Sequence, residues 1–84
     1  MIGDGCLIYG EITHSILSSG IIVKEGSIIR DSIIHPNVKI GTNCAVEKAI
    51  IIEGSVVLAD TQLIFDKVTV VDNEFLWKLG ENNE

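Results

Sequence analysis

Basic residues are in short supply in this chain. Six Lys and Arg stand against twelve Asp and Glu, a formal charge of −6. That balance argues against nucleic acid and anionic membrane as partners, since both attract cationic surfaces. Aromatic residues make up only 5% of the sequence although apolar residues reach 46%. The apolar content therefore falls on Ile and Val, which favour strands. Two cysteines are too few for a disulfide scaffold. No apolar run approaches the ~20 residues that span a bilayer. The start, Met1-Ile2-Gly3-Asp4, lacks the basic stretch and apolar run of a signal peptide. The expected compartment is the cytoplasm. With 84 residues there is room for one thin core, so repetition, a partner or a further domain is expected to support it.

What the sequence does contain is a repeat. Shifted by 17 residues, Thr13-His14-Ser15-Ile16-Leu17 falls on Arg30-Asp31-Ser32-Ile33-Ile34 and then on Glu47-Lys48-Ala49-Ile50-Ile51. Val23 falls on Ile40 and Val57, Ile12 on Ile29 and Val46, and Ile21 on Val38 and Ser55. Within a coil the apolar spacing is near six, as in Val23 to Ile29 and Ile40 to Val46. A small residue follows four positions after the first apolar one: Cys6, Ser27, Cys44, Thr61. This apolar-x-x-x-small pattern predicts an all-β fold, a left-handed parallel β-helix of three to four hexapeptide-repeat coils. The left hand is taken from hexapeptide proteins in general, as an exception to the right-handed crossover rule. Each side would be a short strand, stacked about 4.8 Å above its equivalent through parallel ladders.

Turn residues recur with the same period. Gly5, Gly26, Asn43 and Asp60 read as one corner, and Gly20, Asn37 and Gly54 as another. Gly, Asn and Asp tolerate positive φ, which a tight corner demands. The stretch Ile8-Tyr9-Gly10-Glu11 reads as a four-residue insertion in the first coil. The repeat is expected over residues 1–65. Residues 66–84 are expected to form a C-terminal strand, Val68 to Val71, and a capping tail in which Phe75-Leu76-Trp77 plugs the open end. Glu81-Asn82-Asn83-Glu84 is expected to be disordered.

Candidates for chemistry are few. Cys6 and Cys44 share the small-residue ladder two steps apart, roughly 9.6 Å, beyond the reach of a disulfide. They are expected to be free, inert core thiols. His14 and His35 fall out of register with each other and no third His exists, so neither a zinc site nor a catalytic base is expected. Both read as solvated corner residues. Ser15, Ser32 and Ala49 fill a tight side and have no triad partners. Gly3-Asp4-Gly5 opens no helix and implies no phosphate loop. No catalytic residue, cofactor or metal is expected.

Several runs resemble a known family: Gly5-Cys6-Leu7-Ile8-Tyr9-Gly10, His14-Ser15-Ile16-Leu17, Asp31-Ser32-Ile33-Ile34-His35-Pro36-Asn37-Val38-Lys39-Ile40-Gly41 and Asn43-Cys44. They are similar to the C-terminal β-helix domain of glucose-1-phosphate adenylyltransferases. The tail Asn73-Glu74-Phe75-Leu76-Trp77-Lys78-Leu79-Gly80 resembles the end of bacterial members. The resemblance implies a non-catalytic oligomerisation and regulatory domain, whose partners are sister subunits and an N-terminal nucleotidyltransferase domain absent from this sequence. That missing domain would join ATP and glucose 1-phosphate into ADP-glucose and pyrophosphate. The chain is then a fragment or the product of a truncated reading frame. Where some bacterial members place effector-binding arginines, this sequence has Ala45-Val46-Glu47-Lys48 and Asn73. The alternatives are a small trimeric hexapeptide acyltransferase and a stand-alone β-helix scaffold.

An interface is also expected from the residues themselves. Each coil carries two adjacent large residues, and neighbouring strand side chains point to opposite faces. Leu17, Ile34 and Ile51 are expected inside. Ile16, Ile33 and Ile50 are expected outside, stacked as an apolar strip that mediates association. The competing reading tucks both members of each pair into the core.

Overall fold

Short runs of Ile and Val, with a turn every few residues, give strands too short to stand alone. Their backbone groups must pair with the same segment one repeat later. The chain does this throughout. The computed structural model describes residues 2–81, and it is a left-handed parallel β-helix of about four turns. The strands are β1 (Leu7–Ile8), β2 (Glu11–Thr13), β3 (Ile16–Leu17), β4 (Ile22–Val23), β5 (Ile28–Arg30), β6 (Ile33–Ile34), β7 (Lys39–Ile40), β8 (Ala45–Ile51), β9 (Val56–Val57) and β10 (Gln62–Val71), followed by α1 (Asn73–Glu81).

All pairings between these strands are parallel. The first face stacks β1, β4, β7 and β9. The second stacks β2, β5 and the first halves of β8 and β10. The third stacks β3, β6 and the second halves of β8 and β10. In each face one column points inward: Ile8-Val23-Ile40-Val57, Ile12-Ile29-Val46-Leu63 and Leu17-Ile34-Ile51-Val71. From the second coil upward these residues are at most 2% exposed. Burying each such side chain is worth about 1.5–3 kcal/mol before chain entropy is counted.

Small buried residues join the coils. Ser27 Oγ donates to Gly41 O (2.6 Å) and accepts from Cys44 N–H (3.0 Å). Ser32 N–H donates to Ser15 Oγ, and Ala49 N–H to Ser32 Oγ (3.1 and 3.2 Å). A hydroxyl that also donates within its own turn, as Ser32 Oγ does to Arg30 O (2.8 Å), fits the narrow side at no hydrogen-bonding loss.

The register of the first coil differs from the sequence expectation. Leu7 pairs with Ile22, an offset of 15 residues, whereas Glu11 pairs with Ile28, an offset of 17. The first coil is thus two residues short between Ile8 and Glu11, rather than four residues long. Cys6 consequently stands below Ile21, Val38 and Ser55, and not in the column of Ser27, Cys44 and Thr61. Gly5 joins the corner of Gly20, Asn37 and Gly54, whose φ values are 72°, 69°, 61° and 76°. Gly26, Asn43 and Asp60 form the second corner without it, at 78°, 56° and 63°. A third corner, read in the sequence only at His14, carries no glycine: His14, Asp31 and Lys48 adopt φ of 47°, 49° and 56°.

The top of the stack is finished by its own chain. β10 runs unbroken across residues 65 and 66, with its register shifted between Ile64 and Thr69. Asp72 then starts α1, its carboxylate accepting from Phe75 N–H at 2.8 Å. Asn73 Oδ1 accepts the edge N–H of Val56 at 3.2 Å. Phe75 and Leu76 pack half-buried against the core, and the Phe75 ring meets Phe65 edge-on at 6.0 Å. Trp77, expected in the plug, is instead 68% exposed, because three consecutive helical residues cannot share one face. The helix reaches Glu81, the first of the four residues expected to be disordered; the other three, Asn82 to Glu84, lie outside the described residues. No helix among the described residues is long and apolar enough to cross a membrane.

Candidate self-association face

The outward columns separate the three faces. On the first face they read Leu7-Ile22-Lys39-Val56 and Tyr9-Lys24-Gly41-Leu58. On the second they read Glu11-Ile28-Ala45-Gln62 and Thr13-Arg30-Glu47-Ile64. Every one of these four columns mixes apolar residues with charged or polar ones. The third face carries Ile16-Ile33-Ile50-Val70, apolar on all four coils. Beside it runs Ser18-His35-Ile52-Asp72.

Leu17, Ile34 and Ile51 are fully buried, while their neighbours Ile16 and Ile33 are 47% and 40% exposed. Ile50 is half-buried and Val70 exposed. The strand pleat therefore turns one member of each pair out, as the alternation rule requires. Parallel stacking then places the outward members one rung apart, about 4.8 Å. The strip is continuous over the full height of the helix, and Ile52 widens it near the top.

A family profile described as the GlmU-like C-terminal hexapeptide matches residues 1–76. The chain belongs to that family. The glucose-1-phosphate adenylyltransferases of Bacillus thuringiensis (strain Al Hakam), Bacillus cereus (strain Q1) and Bacillus anthracis are each 34% identical to it over 79 residues. The alignments cover 88% of this chain and 21% of each relative. The chain thus spans about a fifth of the length of the curated relatives it matches. The resemblance read from the sequence to the β-helix part of those enzymes is carried by these matches.

The remaining candidates sit within this hexapeptide architecture. Cys6 and Cys44 are free; Cys44 is buried and Cys6 half-buried. The Cys6 thiol donates to Ser18 O and the Cys44 thiol to Leu58 O, both at 3.1 Å. They stand in different columns, so register as well as distance keeps them apart. His14 is the exposed corner residue expected, 4.0 Å from Asp31 Oδ1 through Nδ1. His35 is not at a corner: it continues the third face after β6 and is half-buried. Among the described residues no three His, Cys, Asp or Glu side chains converge. Tyr9, Gly10, Glu11, Gly26, Ser27 and Ile28 line a shallow open hollow where the first coil is short. Gly10 is required there, since a Cβ would strike Ser27 O.

Proposed function

We propose that this chain is the oligomerisation and regulatory β-helix part of a glucose-1-phosphate adenylyltransferase, working in the cytoplasm. In that reading a nucleotidyltransferase domain outside this sequence joins ATP and glucose 1-phosphate into ADP-glucose and pyrophosphate. The β-helix holds sister subunits together and braces the catalytic domain. The observation that carries the reading is the Ile16-Ile33-Ile50-Val70 column. The fold needs apolar residues inside, but nothing in the fold asks for four stacked apolar residues outside. An uncharged strip along the whole stack is self-complementary, so a second copy turned about a two-fold axis can cover it.

Sedimentation equilibrium of the chain and of Ile33→Lys tests this. The parent chain is expected to self-associate. The variant is expected to be monomeric with an unchanged far-UV spectrum and a cooperative melt, since a lysine at this position stays in water when the partner is absent. A parent chain that is monomeric at high concentration, or a variant that unfolds as a core lesion would, overturns the assignment.

A further inference from the structure

We propose that His35 makes self-association through the third face sensitive to pH, with the seam closing on the neutral imidazole and loosening when it is protonated. The inference rests on the reading of that face as the contact between copies.

His35 occupies the second outward column of the face, above Ser18 and below Ile52. Ile33, two residues earlier, points the same way in the neighbouring column. The imidazole is already half-buried in a single chain. The His35 backbone N–H donates to Ile51 O at 2.9 Å, and among the described residues no hydrogen bond or ion pair holds the ring. Other ionisable groups lie at the margins. Asp72 ends the same column two rungs higher, and Glu53 follows Ile52 at the corner one rung above Pro36; both are exposed. His14, Asp31 and Lys48 form the opposite edge of the face. Lys39 belongs to the first face, beyond the corner at Asn37.

A second copy laid on this face brings the same uncharged strip and its own His35. Each ring would then be covered by apolar surface. Burying an uncompensated charge is costly, so the covered state favours neutral imidazole. The associated form therefore binds fewer protons than the separated chains, and association must weaken as pH falls. Histidine changes its charge between pH 5 and 8, where ordinary carboxylates stay ionised.

Sedimentation equilibrium at about pH 8 and about pH 5.5 reads this out. The parent chain is expected to lose about tenfold or more in association constant on acidification, since each protonated copy must give up its proton to associate. His35→Gln, which keeps a polar side chain but no titration, is expected to associate equally at both values. His14→Gln is expected to keep the parent's dependence. Far-UV spectra at both values report that the β-helix is intact. Equal association of the parent chain at both values overturns the switch, as does a pH dependence that survives in His35→Gln. Stronger association in acid also overturns it, because it would mean a carboxylate of the second copy, Asp72 or Glu53, receives the charged ring. A chain that is monomeric at both values refutes the contact itself, whereas the other three outcomes leave the contact standing.

Discussion

Truncating two adjacent isoleucines separates the inside of this helix from its outside more sharply than any other perturbation. Ile34 is completely buried and stands in register between Leu17 and Ile51. Cutting it to Ala removes its transfer free energy and leaves a cavity. Ile→Ala changes in cores cost about 2–5 kcal/mol, and the loss is greatest where neighbours cannot move in. Here they are held by parallel ladders on both sides, so about 3–5 kcal/mol is expected. A chain of 84 residues has roughly 4–13 kcal/mol of stability to lose, at typical values per residue. A loss of that size lowers the melting temperature by roughly 12–40 °C in a domain of this length. Ile33 is 40% exposed. Its truncation removes only part of a side chain's burial, about 0.5–1 kcal/mol. Thermal and urea unfolding followed by circular dichroism would measure both. Dilute protein is needed so that dissociation of copies does not enter. If Ile33→Ala costs as much as Ile34→Ala, the strand carries the wrong residue inward and the whole face assignment falls.

The corners and the top coil give further tests. Lys48 holds φ of +56° with a side chain that gains little from it, one exposed 3.5 Å contact to Asp66 O. Lys48→Gly is expected to raise stability by about 0.5–1 kcal/mol in the same unfolding assay, and a loss would show that the contact matters more than the strain. At Gly26 a Cβ would strike Asn43 Oδ1, whereas at Gly54 it meets nothing within 4 Å among the described residues. Both glycines have positive φ, so Gly54→Ala should cost about 1–2 kcal/mol and Gly26→Ala about 1 kcal/mol more; equal losses would mean Asn43 is free to swing away. Ser55 is 1% exposed, and among the described residues its hydroxyl has no hydrogen-bond partner. Ser55→Ala is expected to stabilise by about 1 kcal/mol, and a clear destabilisation would point to a bound water bridging the hydroxyl.

The columns were legible because they obey a period. Ile12-Ile29-Val46 and Leu17-Ile34-Ile51 repeat every 17 residues, and the stacking reproduces that spacing. The first coil was misread because small residues are interchangeable in such a pattern. Cys6 matches Ser27 in size, and Gly5 matches Gly26 in backbone freedom, so an offset of 21 read as well as one of 15. Only the pairing of Leu7 with Ile22 decides between them. The third corner escaped for a different reason. Of this corner only Asp31 is among the Gly, Asn and Asp residues credited with positive φ; His14 gave no such signal there, and Lys48 lies within the continuous strand β8. There the ladders above and below dictate the conformation and override local preference. The helix at the end was hidden by the three large residues Phe75-Leu76-Trp77. Its signals were Asp72 and Asn73 ahead of Glu74, a start that accommodates the free N–H groups of a first turn.

What a repeat fold requires differs between its two surfaces, and that difference is what gives the third face its meaning. The large residues of an inward column must be apolar, and small buried ones such as Ser27 and Ser32 find their partners within the stack. An outward column carries no such demand, and five of the six in this chain show what happens without one. Lys39 interrupts Leu7, Ile22 and Val56; Glu47 and Arg30 sit between Thr13 and Ile64. Each such interruption costs the fold nothing, because a charged side chain there remains in water. The Ile16-Ile33-Ile50-Val70 column has had the same freedom on four successive coils and uses it on none. Its neighbour, ending in Ile52 and Asp72 and holding His35 midway, places the polar groups where they frame the strip and do not cross it. Solvated isoleucines in a row are a standing cost to solubility, which a covering surface of the kind proposed would remove. The inward columns explain why the chain folds; the one outward column free of polar groups is the surface on which the proposed association rests.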